Sequence, residues 1–375
     1  MSKTSAPEYP AVDVPLRILL GPGPSMVHPR VLRAMAMPVV GHLDPAFLDV
    51  MAQLQDLLRY VFQTENALTI PISGTGTAAM ETAVANLVEP GDAVLVCVNG
   101  YFGERIAEMA RRYGGDVQTL ERPWGTVIPP GEVRAALARR PAKMVAVVHG
   151  ETSTGVEQPV EEIAEIVHAH GGLLVVDTVA SLGGVPLEVD ASGIDVCYTG
   201  TQKCLSCPPG LGPITLGPRA VEALQRRRTP VTNWYLDLTL LQKYWGEPHL
   251  YHHTAPISMN FALHEALRLV AEEGLEARWA RHRRNAELLW NGLQEMGLTL
   301  LVPKEHRLTT LTTVQVPDGI DEARVRRQLL DVYNIEIVGG LGELKGRAWR
   351  IGLMGFSSRE ENVLLLLAAL EHLLQ

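Results

Sequence analysis

The chain has 375 residues, 46% hydrophobic and 20% charged, with a formal net charge of -9. That is the profile of a globular protein long enough for two domains, and its acidic balance excludes the basic surface of a nucleic-acid binder. No apolar run reaches the roughly 18 residues of a membrane span, and polar Met1–Asp13 lacks a signal-peptide core.

A cytoplasmic protein is therefore expected, and four cysteines in this length fit a reducing compartment rather than a disulfide framework. Cys204 and Cys207 form a C-x-x-C, but no second ligand pair lies near them, so structural thiols are expected and no metal site. The basic runs Arg226–Arg228 and Arg281–Arg284 are flanked by acids and read as solvated helix faces.

Short runs rich in Val, Ile and Leu read as buried parallel strands at Ala67–Ile72, Ala93–Val98, Met144–Val148, Leu173–Val176, Val196–Thr199 and Pro213–Leu216. Amphipathic segments at Thr77–Leu87, Gly103–Tyr113, Glu132–Arg139 and Val160–His170 separate them. The alternation predicts a layered α/β fold with a mostly parallel central sheet. After about Thr254 the texture changes. Helices are predicted over Ser258–Gly274 and Leu275–Met296, a strand over Thr310–Val316, and a helix over Asp321–Asp331. Strands at Ile335–Val338 and Ala348–Leu353 follow, then a helix from Ser358 with Glu360 and Glu361 in its first turn, where the dipole favours acids. The expected division is an N-terminal arm (1–24), a large domain (25–255) and a small C-terminal α+β domain (256–375).

Asp177 ends one buried strand and Lys203 follows the next, one strand–crossover–strand unit later. Adjacent strands would aim an acid and an amine into one cleft at the carboxyl edge of the sheet, where open α/β folds bind ligands. Pyridoxal phosphate needs that pair: an amine for its aldehyde and an acid for its ring nitrogen. Alone, either residue could be a helix cap or a surface lysine. The third feature is Ser73-Gly74-Thr75-Gly76-Thr77-Ala78-Ala79, a glycine loop between strand and helix, suited to cradle a phosphate. It also fits the dinucleotide fingerprint. A nicotinamide dehydrogenase, however, wants an acid closing the next strand, and Ala93–Val98 runs into Asn99-Gly100-Tyr101-Phe102.

With Gly150-Glu151-Thr152-Ser153-Thr154-Gly155, Val176–Gly184 and Gly200-Thr201-Gln202-Lys203, the chain resembles the class V, fold type I aminotransferases, specifically the alanine–glyoxylate and serine–glyoxylate (serine–pyruvate) group. The likeness runs from Leu19–Ser25 to Arg350–Leu353. It implies that Lys203 is the Schiff-base lysine and that Asp177 pairs with the pyridine nitrogen. Phe102 would stack on the cofactor, where close animal members carry tryptophan. Thr152 would bond near the ring oxygen, and Thr75, Gly76, Thr77 and Gln202 would hold the phosphate. Tyr251 and Thr254 would complete that site from the other subunit of a homodimer.

Arg350 would grip the substrate carboxylate bidentately, beside the backbone of Gly23. A structural ion pair is the competing reading of Arg350. His42 is either a residue at the pocket entrance or a helix cap. Adjacent His252 and His253 would point to opposite faces of an extended chain. The implied activity moves an amino group from alanine or serine to glyoxylate or pyruvate by a ping-pong route. The rivals are a lyase or desulfurase of the same fold, which would use a histidine over the ring and a mobile cysteine, and the dehydrogenase.

Overall fold

The computed structural model describes residues 6–375. Its strands are β1 (Ile18–Leu19), β2 (Leu68–Ser73), β3 (Ala93–Val98), β4 (Asp116–Glu121), β5 (Met144–Val148), β6 (Gly150–Glu151), β7 (Val156–Glu157), β8 (Leu173–Asp177), β9 (Val196–Tyr198), β10 (Leu211–Leu216), β11 (Leu311–Gln315), β12 (Ile335–Glu336), β13 (Val338–Gly339) and β14 (Ala348–Gly352). The first six helices are α1 (Pro29–Met35), α2 (Pro45–Phe62), α3 (Gly76–Leu87), α4 (Tyr101–Arg112), α5 (Pro130–Arg139) and α6 (Glu161–Ala169). The other six are α7 (Pro218–Gln225), α8 (Leu238–Trp245), α9 (Ile257–Glu273), α10 (Leu275–Glu295), α11 (Glu322–Tyr333) and α12 (Glu360–Leu374). Among the described residues no helix is long and apolar enough to cross a membrane.

The central sheet runs β2-β10-β9-β8-β5-β3-β4. From β9 to β4 every pairing is parallel. Pro213–Leu216, expected as a parallel strand, instead lies in β10, antiparallel to both β2 and β9. The physical reason is the connection. Residues 199–210 form no crossover helix, so the chain stays at one edge of the sheet and re-enters in the opposite direction. β4 was not anticipated, because its polar sequence DVQTLE lies at the sheet edge and is never fully buried. Nor was α2, whose start is set by the Asp44 carboxylate capping the Ala46 amide, with Pro45 at the first position.

Two large hydrophobic cores, with a small third cluster of Ala180, Val185, Cys204, Leu308, Leu311 and Met354, hold the described residues together. The larger surrounds the central sheet, and Ala262, Leu263 and Leu267 of α9 pack within it. The change of texture near Thr254 therefore precedes the passage to the second core, which begins with Leu289 of α10. The second core also holds Leu20, which is fully buried. The N-terminal segment is built into the fold here: β1 pairs with β12, and the Gly352 amide of β14 donates to the Leu20 carbonyl at 2.7 Å. Ile335–Val338 is two strands rather than one, β12 joining β1 and β13 joining β14. The run Arg281–Arg284 is only partly solvated. His282 is wholly buried and Arg281 is held by Glu273, because this part of α10 lies under the 355–358 turn.

Candidate active site

β8 and β9 are adjacent, and their register sets Asp177 opposite Tyr198. Asp177 is buried. Its Oδ1 accepts from the Val179 amide at 2.8 Å and its Oδ2 from the Tyr198 hydroxyl at 3.1 Å. Burial pushes the carboxyl up to about 7, against the lowering effect of the Val179 bond. Burial and the neighbouring Asp177 hold the Tyr198 phenol well above its usual range, so it remains a donor. Sequence reasoning missed Tyr198, which reads as one more apolar strand residue until the register is known.

Lys203 lies in the turn after β9. Burial lowers its ammonium to about 8, and Nζ donates to the Pro22 carbonyl. Gly23 has φ +109, and a Cβ there would stand 2.6 Å from Lys203 Cδ; both backbone conformation and space demand glycine. The Ser25 amide donates to the Gln202 carbonyl (2.8 Å) and the Ser25 hydroxyl to the Lys203 carbonyl (2.7 Å). The N-terminal segment thus clamps the lysine turn.

α3 opens the other end of the cleft. Thr75 occupies its N-cap position without a side-chain cap bond, and the first-turn amides of a helix have no intrahelical acceptor. A Cβ on Gly76 would lie 3.2 Å from Gly200 Cα, so the two loops touch. Arg105 of α4 donates to Thr77 Oγ1 at 3.2 Å, its guanidinium 4.9 Å from the Phe102 ring centre. Arg105 too was missed; its signal was a position three residues beyond Phe102 on one helix face.

A cavity of about 180 Å³ joins these groups. Gly76, Thr77, Phe102, Arg105, Thr152, Asp177, Val179, Gln202 and Lys203 line it. The Gln202 Oε1 is buried without a hydrogen-bond partner; turning the amide over would aim its NH₂ at an anion. A larger cavity, about 1170 Å³, is bordered by Leu68, Ile194 and Trp245 and holds none of the residues marked by the sequence.

Arg350 on β14 is buried. It donates through Nε to the Gly339 carbonyl (2.9 Å) and through Nη1 to the Thr152 carbonyl (3.0 Å). Among the described residues no carboxylate forms an ion pair with it, so the structural-pair reading fails. Burial lowers it to about 10, with Glu151 opposing.

Tyr251 and Thr254 are exposed and do not reach their own chain's cavity. His42 lies outside it too, its ring 5.1 Å from that of Tyr251, and the cap of α2 is Asp44 rather than His42. His252 and His253 do not diverge: their Nδ1 atoms are 2.9 Å apart, because His252 is drawn flat onto Trp234. All four cysteines are free and buried, with burial holding each thiol protonated.

The residues present fit pyridoxal phosphate. A buried carboxylate held in place by an amide and a hydroxyl suits a protonated pyridine nitrogen. A lysine of lowered pKa suits an aldehyde, and the open α3 amides with Arg105 suit a phosphate. Fold and cleft together define a pyridoxal-phosphate enzyme of fold type I. The profile of the family "Aminotransferase class-V" matches residues 19–346, and the chain belongs to that family.

Mouse alanine–glyoxylate aminotransferase is 44% identical, over 97% of this chain and 89% of its own. The (S)-ureidoglycine–glyoxylate transaminase of Bacillus subtilis is 43% identical, over 96% and 91%. The crystal structure of an alanine–glyoxylate aminotransferase from Nostoc sp. superposes with a TM-score of 0.98 at 56% identity, covering 100% of both chains. Cysteine desulfurases share the fold alone, at 16% identity for the one from Thermococcus onnurineus, with a TM-score of 0.74 over 93% of this chain and 92% of that one.

Proposed function

We propose that this aminotransferase moves the amino group of a small monocarboxylic amino acid, alanine or serine, to glyoxylate or pyruvate. The observation that carries the proposal is Arg350: one buried guanidinium, fixed by two carbonyls and paired with no carboxylate among the described residues. It offers a bidentate grip for one substrate carboxylate. Relatives named for glyoxylate support the acceptor.

The cofactor, when bound, supplies the electron sink conjugated with the substrate's amino carbon. Asp177, steadied by Tyr198 and Val179, would keep a proton on the ring nitrogen. Phe102 would cover one face of the ring, Thr152 would bond near its ring oxygen, and Gln202 would reach the phosphate. Thr75, Gly76 and Thr77, with Arg105, bind the phosphate. Lys203 would carry the cofactor, and its lowered pKa brings it closer to the range in which it can take the proton from the substrate α-carbon. The Pro22-Gly23 backbone confines its Nζ, limiting where that proton can be delivered.

The proposal includes a cytoplasmic homodimer in which Tyr251 and Thr254 complete the phosphate site of the neighbouring subunit. Their exposure in the single chain supports the second part, and four unpaired thiols support the first. Cell fractionation checks the location.

The deciding experiment follows the visible band of the protein reconstituted with pyridoxal phosphate. Alanine or serine is expected to bleach it, and glyoxylate to restore it. A band that no small amino acid bleaches refutes the donor assignment, and bleaching by ureidoglycine alone would move it to that donor. Arg350→Lys, which keeps charge but loses the planar fork, is expected to raise KM for alanine and glyoxylate roughly thirtyfold. An unchanged KM would remove Arg350 from the carboxylate site.

A further inference from the structure

α4 begins without a cap of its own, since Gly100 occupies the N-cap position. Its first amides are nevertheless satisfied by a distant segment. The Tyr101 amide donates to Ser153 Oγ at 3.0 Å, and the Phe102 amide to Glu151 Oε2 at 3.1 Å. Glu151 Oε1 accepts from both the amide (3.0 Å) and the hydroxyl (2.7 Å) of Ser153. Both side chains are wholly buried.

Gly100 has φ 174, extended backbone open to any residue. Space is what requires glycine here: a Cβ would stand 2.4 Å from Glu151 Cγ and 2.6 Å from Ser153 Oγ. The segment sits in the β6–β7 hairpin, and the residue between the two capping side chains is Thr152. That residue lines the cavity and gives its carbonyl to Arg350.

We infer that Glu151 and Ser153 are positioning residues that cap α4 from a distance, fixing Phe102 and Arg105 at the cofactor and, through Thr152, tying that surface to Arg350. A carboxylate is suited to this place because it only accepts, and every neighbour turned toward it is a donor. Grip on the cofactor and grip on the substrate carboxylate are then set by one three-residue segment. The inference rests on the roles given above to Phe102, Arg105 and Arg350.

The test titrates apoprotein with pyridoxal phosphate by quenching of protein fluorescence, and separately measures KM and kcat for alanine. Glu151→Gln places an NH₂ among donors, and Ser153→Ala removes the bridging hydroxyl. Each is expected to weaken cofactor binding roughly tenfold. Each is also expected to raise KM for alanine, with kcat at saturation down by about threefold at most. Gly100→Ala should reproduce the loss by expelling the carboxylate. Combined with Glu151→Ala it should cost less than the sum of the two single changes, because both act on one contact.

A merely structural role would lower the urea midpoint of the apoprotein while leaving cofactor affinity and KM of the folded fraction intact, and that result overturns the inference. Ser153→Ala decides the matter if Glu151→Gln fails to fold. Wild-type apoprotein that takes up no pyridoxal phosphate would overturn the underlying site reading, and this inference with it. Normal uptake by wild type and variants alike overturns the capping role alone.

Discussion

Replacing Lys203 with alanine is expected to abolish the visible band of the reconstituted protein and to slow transamination by about 10⁴-fold. Two losses combine. The amine that anchors the cofactor's aldehyde disappears, and so does the group that moves the proton at the substrate α-carbon. No other lysine among the described residues lines the cavity, so none can substitute. Single-turnover rates with added pyridoxal phosphate measure the second loss separately from the first. A variant that still transfers the amino group at a rate near wild type would refute the assignment of Lys203.

The same variant tests the shared site. Co-expressed with Tyr251→Ala, hybrids containing one chain of each kind should carry one intact site, if the site takes Lys203 from one subunit and Tyr251 from its partner as proposed. Random pairing then predicts recovery of about a quarter of wild-type activity. No recovery would mean that Tyr251 serves its own chain, and a Tyr251→Ala protein active by itself would mean that it serves neither.

Asp177→Asn is expected to reduce kcat/KM by about 10³-fold, because a neutral amide does not keep the ring nitrogen protonated. It also has an expected effect on the apoprotein. The buried carboxyl titrates near 7 rather than the usual 3.8, with burial the main cause. A group whose folded pKa is raised stabilises the fold fully below its unfolded value and loses that contribution as pH rises through its folded value. Wild-type apoprotein should therefore lose about 4 kcal/mol from this group between pH 4 and 7. Asp177→Asn should flatten that slope in urea titrations, giving an apoprotein that is more stable above pH 7 yet poorly active. A parallel pH slope in both proteins would show that Asp177 is not the titrating group.

Much of the site was legible in the chain. Asp177 at the end of an apolar run, Lys203 after the next, and the glycine loop before α3 are local patterns. Each is fixed by the period of a strand or the needs of a helix terminus. The same local signals located the buried strands and the late helices. They could not give the direction of β10, because orientation depends on where the connection runs rather than on the residues of the strand. They could not place α9 in the larger core either, since an amphipathic helix packs equally well on any apolar face.

Local residue patterns alone specify an α/β chain with an acid and a lysine at one sheet edge. Tertiary structure decided how that pair is controlled. Tyr198 meets Asp177 only through the β8–β9 register, and Pro22 meets Lys203 across a sequence separation of 181 residues. Glu151 and Ser153 cap a helix that begins fifty residues earlier. Tyr251 and Thr254 lie away from the cleft of their own chain. Such contacts join residues distant in sequence, and their energy depends on complementary shape and hydrogen-bond geometry, which leave no periodic trace in the chain.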